Sequence, residues 1–328
     1  MAEIPRVPLP DRPVLLDCGM GSELAWRGIE NTEALWSAKA LMSAPHVVRQ
    51  IHIDCIEAGA DVIITNTYSV VRSHLAEVGI EDRFRDLALK ACALAREARD
   101  AAGKDVLIAG SLAPLDHTMN PDVVPPNEVI EPLYRESAEI MAPHVDLFLC
   151  ETMRSAREAH ANARAACSTG KPVWLSWTLR DDGSGLLRSG ETVDEAAALI
   201  AELPVSAVLA NCCWPESVTA ALPALVAQPG KIAGGYPNCI AYIPHTGEWD
   251  MAGNREEDGL HDGLLPLRGD LGPTAFAVHA ERWLAAGARI IGGCCGTGAG
   301  HISRLRQLIG GVPPVRRPHR LRHEAAQA

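Results

Sequence analysis

The chain repeats one pattern eight times, in which a short apolar run precedes a longer amphipathic segment. The runs are PVLLDCG (13–19), DVIITNTY (61–68), VLIAGSLAP (106–114), DLFLCET (146–152), PVWLSWTL (172–179), SAVLANCC (206–213), KIAGGYPN (231–238) and ARIIGGCCG (288–296). Runs that are apolar almost throughout are typical of parallel strands with both faces covered. Eight strand–helix units in one chain predict an α/β fold, the closed (β/α)8 TIM barrel. A doubly wound open sheet is the alternative, but DCGMGSEL after the first run is a poor match to the glycine-rich turn of that fold.

Two segments between the runs carry clear helix signals. Residues 80–103 place apolar side chains on one helical face and end on Gly103, a residue that commonly ends a helix. In TVDEAAALIAEL, Thr192 precedes Glu195 by three residues, which is the capping-box pattern at the start of a helix. These signals support the alternation of strands and helices.

Composition limits the classes of protein that remain. We expect one barrel domain over residues 1–311 and a basic, proline-bearing tail over 312–328. A formal net charge of −11 disfavours nucleic acid and anionic membranes as partners. No apolar run reaches membrane-spanning length and the first residues contain no apolar signal core, so we expect a cytoplasmic protein. Ten cysteines in 328 residues are too sparse for a disulfide scaffold. The composition is also compatible with a homo-oligomer.

Polar side chains gather where the predicted strands end. They are Asp17, Asn66, Thr67, Tyr68, Ser111, Glu151, Thr178, Asn211, Cys212, Asn238, Cys294 and Cys295. The carboxyl ends of the strands form the active-site rim of a TIM barrel. Long segments after the third, fifth and seventh runs lie on the same side, where long loops usually cover a substrate. The sequence therefore predicts an active site at this rim.

Three cysteines at the rim suggest a metal site. Cys212 ends the sixth predicted strand, and Cys294 and Cys295 end the eighth, with one strand between them. Adjacent strand residues point to opposite faces, so both sulfurs can face one ion only if the chain bends. Glycines that permit such a bend flank the pair: Gly292, Gly293 and Gly296. Three thiolates with an open fourth position suit a catalytic Zn2+ site.

Alternatives to this zinc site remain open from the residues alone. Cys213 competes with Cys212, since NCC offers two candidates, and Cys294 with Cys295 also suits a redox pair. Cys18 and Cys239 lie near the rim as cavity lining or bystanders. An all-thiolate zinc is too electron-rich to activate water well, but it can hold a substrate thiol as thiolate. Such a thiolate attacks a methyl group on a cationic sulfur or nitrogen with in-line positioning as the main requirement.

From LLDCGMGSEL through ADVIITNTY, GSLAP, ETM, LANC and YPN to GARIIGGCCGT, the chain resembles the homocysteine S-methyltransferase family. The resemblance implies a zinc-dependent barrel in methionine biosynthesis, with the metal held by Cys212, Cys294 and Cys295 and with Cys213 outside the site. These three cysteines are the expected catalytic residues. The resemblance also implies that the amino-acid end of homocysteine is bound by Asp17, Gly19, Met20 and Glu151.

The residues agree with that assignment, because a carboxylate at Glu151 can pair with an ammonium and backbone N–H groups in CGMG can receive a carboxylate. Asp17 can instead orient a neighbouring loop, and Asn211 is either a polar neighbour of its cysteine in the site or a structural asparagine. These two alternatives stay open at the level of sequence.

The methyl donor is the open part of the hypothesis. Cys18 stands where the family has a small residue, and YPN continues as CIAYIPH before TGEW, unlike the YPNSGE of members that use S-methylmethionine. Candidate donors are S-methylmethionine, betaine, dimethylsulfoniopropionate and S-adenosylmethionine. Aromatic residues that can face an onium group are Tyr68, Tyr236 and Trp249, with Tyr242 and Trp177 as further candidates. The alternatives are another thiol or selenol acceptor, or a non-catalytic zinc or redox-sensing barrel.

Overall fold

The computed structural model describes residues 4–31, 35–241 and 265–310. Within them, eight strands form one parallel sheet in the order β1-β8-β7-β6-β5-β4-β3-β2. The strands are β1 Val14–Leu15, β2 Val62–Ile64, β3 Leu107–Leu112, β4 Leu147–Met153, β5 Val173–Trp177, β6 Val205–Asn211, β7 Ile232–Tyr236 and β8 Ile290–Ile291. Each lies within a predicted apolar run or within one residue of it.

The sheet closes on itself, which confirms the TIM barrel and excludes the open doubly wound sheet. Val14 of β1 pairs in parallel with Ile290 of β8. On the other side of β1, Leu16 forms a parallel bridge with Val62 of β2. First and last strands therefore meet, and the carboxyl ends of all eight face one end of the barrel.

Helices separate the strands, as the sequence pattern predicts. Those in the described part of the chain are α1 Met20–Trp26, α2 Lys39–Ser43, α3 Pro45–Ala58, α4 Arg72–Glu77, α5 Phe84–Ala102, α6 Asn127–Met141, α7 Ala156–Cys167, α8 Val193–Leu199, α9 Pro215–Val226, α10 Pro273–Ala285 and α11 Ala299–Leu308. Short 3-10 segments span Glu81–Arg83, Pro121–Val123 and Ala142–His144.

Both sequence-derived helix ends are confirmed. Helix α5 ends at Gly103, whose φ of 60° is left-handed and suits a residue without a Cβ. Helix α8 begins with the predicted capping box, in which Thr192 accepts from the Glu195 N–H and Glu195 accepts from the Thr192 N–H. The local sequence was therefore sufficient to predict the end of α5 and the beginning of α8.

Apolar side chains form two layers around the strands. Inside the barrel, Val14, Leu16, Leu149 and Trp174 belong to one buried cluster. Leu15 and most of the apolar helix faces belong to a second cluster between sheet and helices. Successive side chains of a strand point alternately into the barrel and towards the helices. Both faces of the sheet are therefore buried, which explains why the strands are apolar almost throughout.

Among the described residues, no helix is both long enough and apolar enough to cross a membrane. The predicted tail over 312–328, together with the boundary at residue 311, lies outside the described residues.

Candidate metal centre and substrate cavity

Three thiols converge at the carboxyl end of the barrel. The Sγ atoms of Cys212, Cys294 and Cys295 all lie within 4.8 Å of one another. Sulfurs bound to one tetrahedral zinc are about 3.8 Å apart, given Zn–S bonds of about 2.3 Å. Soft sulfur ligands in this number suit zinc better than Mg2+ or Ca2+, which prefer oxygen. The site therefore fits a thiolate-bound metal in both spacing and chemistry.

The backbone at Cys212 explains how NCC is divided between site and core. Cys212 has a φ of 51°, in the left-handed region that residues with a Cβ rarely adopt. Cys213, the next residue, is fully buried in the cluster between sheet and helices. The described metal cluster thus contains Cys212 and not its neighbour, in agreement with the family resemblance.

Glycines allow the loop after β8 to approach the loop after β1. A Cβ at Gly19 would lie 2.5 Å from the carbonyl oxygen of Cys294. Gly296 has a φ of 75°, and a Cβ at Gly292 would lie 2.6 Å from the Cβ of Leu16. Gly19 and Gly292 are thus required because another part of the chain approaches closely, and Gly296 because its backbone is left-handed.

The surroundings of Cys212 favour its ionised form. Hydrogen bonds from the Cys294 and Cys295 thiols lower the pKa of Cys212 well below its usual range. The positive charge of Arg188 and the side-chain amide of Asn238 lower it further, while burial opposes them. A thiolate is the form of cysteine that binds a metal.

The three cysteines form one wall of a cavity of about 130 Å³. The predicted substrate residues that line it are Asp17, Gly19, Met20, Tyr68, Glu151 and Tyr236. The described lining contains three carboxylic side chains, Asp17, Asp116 and Glu151, but no lysine or arginine. Its basic side chains are His74 and His117, and burial lowers the pKa of His74 to about 3. Such a cavity favours a cationic ligand.

Glu151 is aimed into the cavity by an irregularity in β4. The pairing of β4 with β5 changes register between Cys150 and Met153. Bulges of this kind re-aim side chains at active sites. The carboxylate of Glu151 accepts from the Ser111 hydroxyl at 2.5 Å and from the Tyr236 hydroxyl at 3.2 Å. Burial nevertheless raises the pKa of Glu151 to about 7.

Asp17 has one carboxylate oxygen that is hydrogen-bonded and one that is not. Its Oδ2 accepts from the Ile64 N–H at 2.8 Å, which ties the end of β1 to β2. Its Oδ1 is buried and has no hydrogen-bond partner. Burial raises the pKa of Asp17 well above its usual value. The loop-orienting role and the ligand-binding role are therefore compatible, one for each oxygen.

Asn211, expected to bind substrate, does not line the cavity. Its Oδ1 accepts from the Thr152 N–H at 2.9 Å and from the Ser176 hydroxyl at 2.7 Å, and its Nδ2 donates to Thr152 Oγ1. Thr152 follows Glu151 and has a left-handed φ of 63°. Asn211 thus holds the backbone beside Glu151, and its amide contacts Thr152 and Ser176 instead of lining the cavity.

The remaining predicted positions divide between cavity, core and the part of the chain not described. Cys18 lines the cavity, whereas Cys239 and Trp177 are buried in the cluster between sheet and helices. Tyr242 and Trp249 lie outside the described residues.

Sequence reasoning missed two groups of lining residues. Trp36, which has a φ of 42°, lines the cavity from the segment between α1 and α2. His74 and His117 also line it, with their rings stacked at 3.5 Å between centroids. None of the three ends a predicted strand. His117 lies in the long segment after the third run, which was expected to cover a substrate, although nothing there singled out the histidine. The strained backbone at Trp36 and the ring stacking depend on tertiary contacts, so the sequence did not identify Trp36 or His74.

Comparisons with known proteins agree with this geometry. The family model described as homocysteine S-methyltransferase matches residues 14–309. A homocysteine S-methyltransferase of Escherichia coli is 32% identical over 312 residues, covering 89% of this chain and 94% of the relative. A selenocysteine methyltransferase of Astragalus bisulcatus is 28% identical, covering 91% and 93%. The crystal structure of the E. coli homocysteine methyltransferase MmuM in its metallated form superimposes with a TM-score of 0.75 at 30% identity, covering 91% of this chain and 96% of that one.

Proposed function

Because this chain belongs to the homocysteine S-methyltransferase family, we propose that it transfers a methyl group from a small onium donor to L-homocysteine, giving methionine, with zinc bound by Cys212, Cys294 and Cys295. At the coarser level it is a methyltransferase with a thiol or selenol acceptor. One observation carries the finer proposal: three clustered thiols and two buried carboxyl groups line the same cavity.

The carboxyl groups account for recognition of the amino-acid end. An ammonium group needs acceptors, and Asp17 Oδ1 is a buried oxygen without one. Glu151 offers a second carboxylate, held in place by Ser111 and Tyr236. The Gly19 N–H donates to the Thr297 carbonyl oxygen at 3.2 Å, so we assign the substrate carboxylate to the backbone at Met20, since N–H groups in such loops bind anions. These contacts orient the acceptor with its sulfur towards the cysteines.

Zinc, when bound, supplies one chemical property: it keeps the acceptor sulfur as a thiolate at neutral pH. The residues of the chain do the rest by position. A thiolate displaces the neutral leaving group of an onium donor directly, so a methyl group moves from the donor to sulfur. No proton is transferred in that step. Holding both reactants in line is therefore the main contribution of the cavity.

The lining of the cavity supports a cationic donor. Trp36 and Tyr68 offer aromatic faces, and an onium group over such a face is attracted by the negative electrostatic potential of the ring quadrupole. Asp17 and Glu151 add acidic groups, and the described lining has no lysine or arginine. S-methylmethionine, betaine, dimethylsulfoniopropionate and S-adenosylmethionine all carry the required cation.

A pair of adjacent variants tests the metal assignment. Cys212→Ala removes a proposed ligand, and Cys213→Ala removes the neighbouring core thiol as a matched control. We expect the first to lose zinc, measured by elemental analysis, and to lose methyl transfer by a factor of at least about 1,000, because a metal site with two ligands no longer holds the acceptor. The second retains both. Full activity in metal-free protein would refute the proposal.

The donor is identified by assaying the four candidates separately with homocysteine. A donor is accepted when methionine forms in proportion to its loss and Cys212→Ala abolishes the reaction. Activity with none of the cationic donors contradicts the onium assignment.

The acceptor has a second candidate, a selenol. The similarity to a selenocysteine methyltransferase favours it, and a site that binds a thiolate also suits a selenolate. Competition between homocysteine and selenocysteine for one donor separates the two. The redox-sensing alternative needs only Cys294 and Cys295, so it predicts oxidant-dependent thiol loss that Cys212→Ala leaves intact.

A further inference from the structure

A buried ion pair lies beside the proposed metal centre in the loop after β5. Arg188 Nη2 and Asp181 Oδ2 are 3.2 Å apart, and both side chains are completely inaccessible to solvent. Burying two charges removes them from water, and the attraction between them often fails to offset that cost. Such a pair is weak evidence for stability alone, so its contacts indicate what else it does.

Its contacts reach the carbonyl group of Cys212 and the chain that follows it. Asp181 Oδ1 accepts from the Trp214 N–H at 2.7 Å, which fixes the chain two residues after Cys212. Thr178 Oγ1 donates to the Cys212 carbonyl oxygen at 3.1 Å. Arg188 in turn contacts Thr178, with its Nε 3.5 Å from Oγ1 and its backbone N–H donating to the Thr178 carbonyl at 3.4 Å.

These contacts matter because Cys212 has a strained backbone. A non-glycine residue with a φ of 51° is held there only when surrounding contacts enforce that conformation. If the strain relaxed, the chain from Cys212 to Trp214 would turn, and the division of Cys212 and Cys213 between metal site and core would be lost.

We propose that Arg188, Asp181 and Thr178 are positioning residues that hold Cys212 in its left-handed conformation and thereby preorganise the three-thiol metal site. None of the three lines the cavity, so they act through Cys212 and not on the substrate. The inference rests on the proposed metal site. The positioning role concerns how tightly the site binds metal, whereas the proposed function requires that the site bind metal at all. One can therefore fail without the other.

The test measures metal binding directly. The full-length protein is loaded with Zn2+, and its dissociation constant is obtained by competition with a chromogenic chelator. The Co2+-substituted protein reports the geometry through its thiolate-to-cobalt charge-transfer band. Removing groups that orient metal ligands typically weakens metal binding about 10- to 100-fold. We expect that loss for Arg188→Gln, with a weaker and shifted cobalt band.

Two further comparisons separate positioning from general destabilisation. Thr178→Val removes the hydroxyl that holds the Cys212 carbonyl, while Thr178→Ser retains it, so only the valine variant should weaken zinc binding. Arg306→Gln is the control for loss of a largely buried ion pair, because Arg306 lies 2.8 Å from Asp61, their side chains are 7% and 11% exposed, and neither residue lines the cavity. It should lower the melting temperature and leave zinc affinity unchanged.

The outcomes are separable. If the wild-type protein binds neither metal through its cysteines, the proposed function fails. If it binds both metals, but Arg188→Gln and Thr178→Val keep zinc affinity within about threefold and an unchanged cobalt band, the positioning role is refuted. Should Arg188→Gln not fold, the threonine pair alone decides between these results.

Discussion

Replacing Glu151 with glutamine removes one negative charge from the cavity and keeps the shape of the side chain. The glutamate accepts from the hydroxyls of Ser111 and Tyr236. Each hydroxyl can also accept a hydrogen bond, so the glutamine amide finds a partner without leaving a buried polar group unsatisfied. The variant therefore tests charge at this position with little change in packing.

Methyl transfer should fall. A hydrogen bond between charged groups contributes about 1.5–3 kcal/mol, and the proposed ammonium contact of Glu151 is of this kind. The loss corresponds to about a 10- to 150-fold decrease in kcat/KM for homocysteine. The wild-type value should rise as pH increases through about 7, because the carboxyl group of Glu151 has a pKa of about 7 in the empty cavity and pairs with ammonium only when ionised. Glutamine does not titrate, so any pH dependence that remains in the variant belongs to another group such as Asp17, whose pKa burial also raises.

Stability should change in the opposite direction. Burial raises the pKa of Glu151 from 4.5 to about 7, so between these values the unfolded chain releases a proton that the folded protein retains. Folding stability is then lost as pH rises from about 4.5 to 7, by about 3 kcal/mol in total. Glu151→Gln removes this penalty. Its advantage in unfolding free energy should be absent near pH 4.5 and fully present at pH 8.

Urea denaturation at several pH values and steady-state kinetics measure the two effects, with both proteins in the same metallation state. If Glu151 is retained for substrate binding at a cost in stability, the glutamine variant should be less active but more stable above pH 7. If Glu151→Gln keeps full kcat/KM, Glu151 does not bind the ammonium. If its stability advantage does not grow with pH, burial does not raise the carboxyl pKa as argued.

Three other substitutions test separate parts of the structure. Gly19→Ala puts a Cβ 2.5 Å from the Cys294 carbonyl oxygen. We expect it to lower the free energy of unfolding by about 1–3 kcal/mol and to weaken zinc binding in a chelator competition. Unchanged zinc affinity would contradict the close packing of the loops after β1 and β8. Trp36→Leu keeps an apolar side chain but removes the aromatic face, so KM for the cationic donor should rise about 2- to 30-fold while KM for homocysteine stays constant; an equal rise in both would argue against a donor contact. Gly103→Ala imposes a Cβ on a left-handed residue with open space around it, and should cost about 1–2 kcal/mol in urea denaturation with no change in kcat/KM.

Much of the fold was predictable because it depends on local periodicity. Apolar runs identified all eight strands, and the ends of α5 and α8 followed from Gly103 and from the Thr192–Glu195 capping box. Strand ends also led to Asp17 and Glu151, because parallel strands in a barrel present their carboxyl ends on one rim.

Other parts of the site were not predictable from strand ends. Asn211 stands at the end of β6 but turns its amide to Thr152 and Ser176. Trp36 reaches the cavity from a segment with no strand pattern. Side-chain direction in both cases depends on neighbours that are distant in sequence, and a one-dimensional pattern does not contain them.

By itself the sequence indicated that eight strand–helix units form a barrel and that three cysteines lie at the ends of two strands separated by one other, since hydrophobic periodicity and strand order are properties of the chain. The residues alone left Cys212 and Cys213 as alternatives, and the family resemblance implied Cys212. The tertiary structure shows which sulfurs lie together. The left-handed conformation of Cys212 separates the metal-site thiol from the core thiol of Cys213. Residues after β5 hold the Cys212 carbonyl group and the N–H of Trp214, two residues further on. The physical reason is that strained backbone exists only where distant groups hold it.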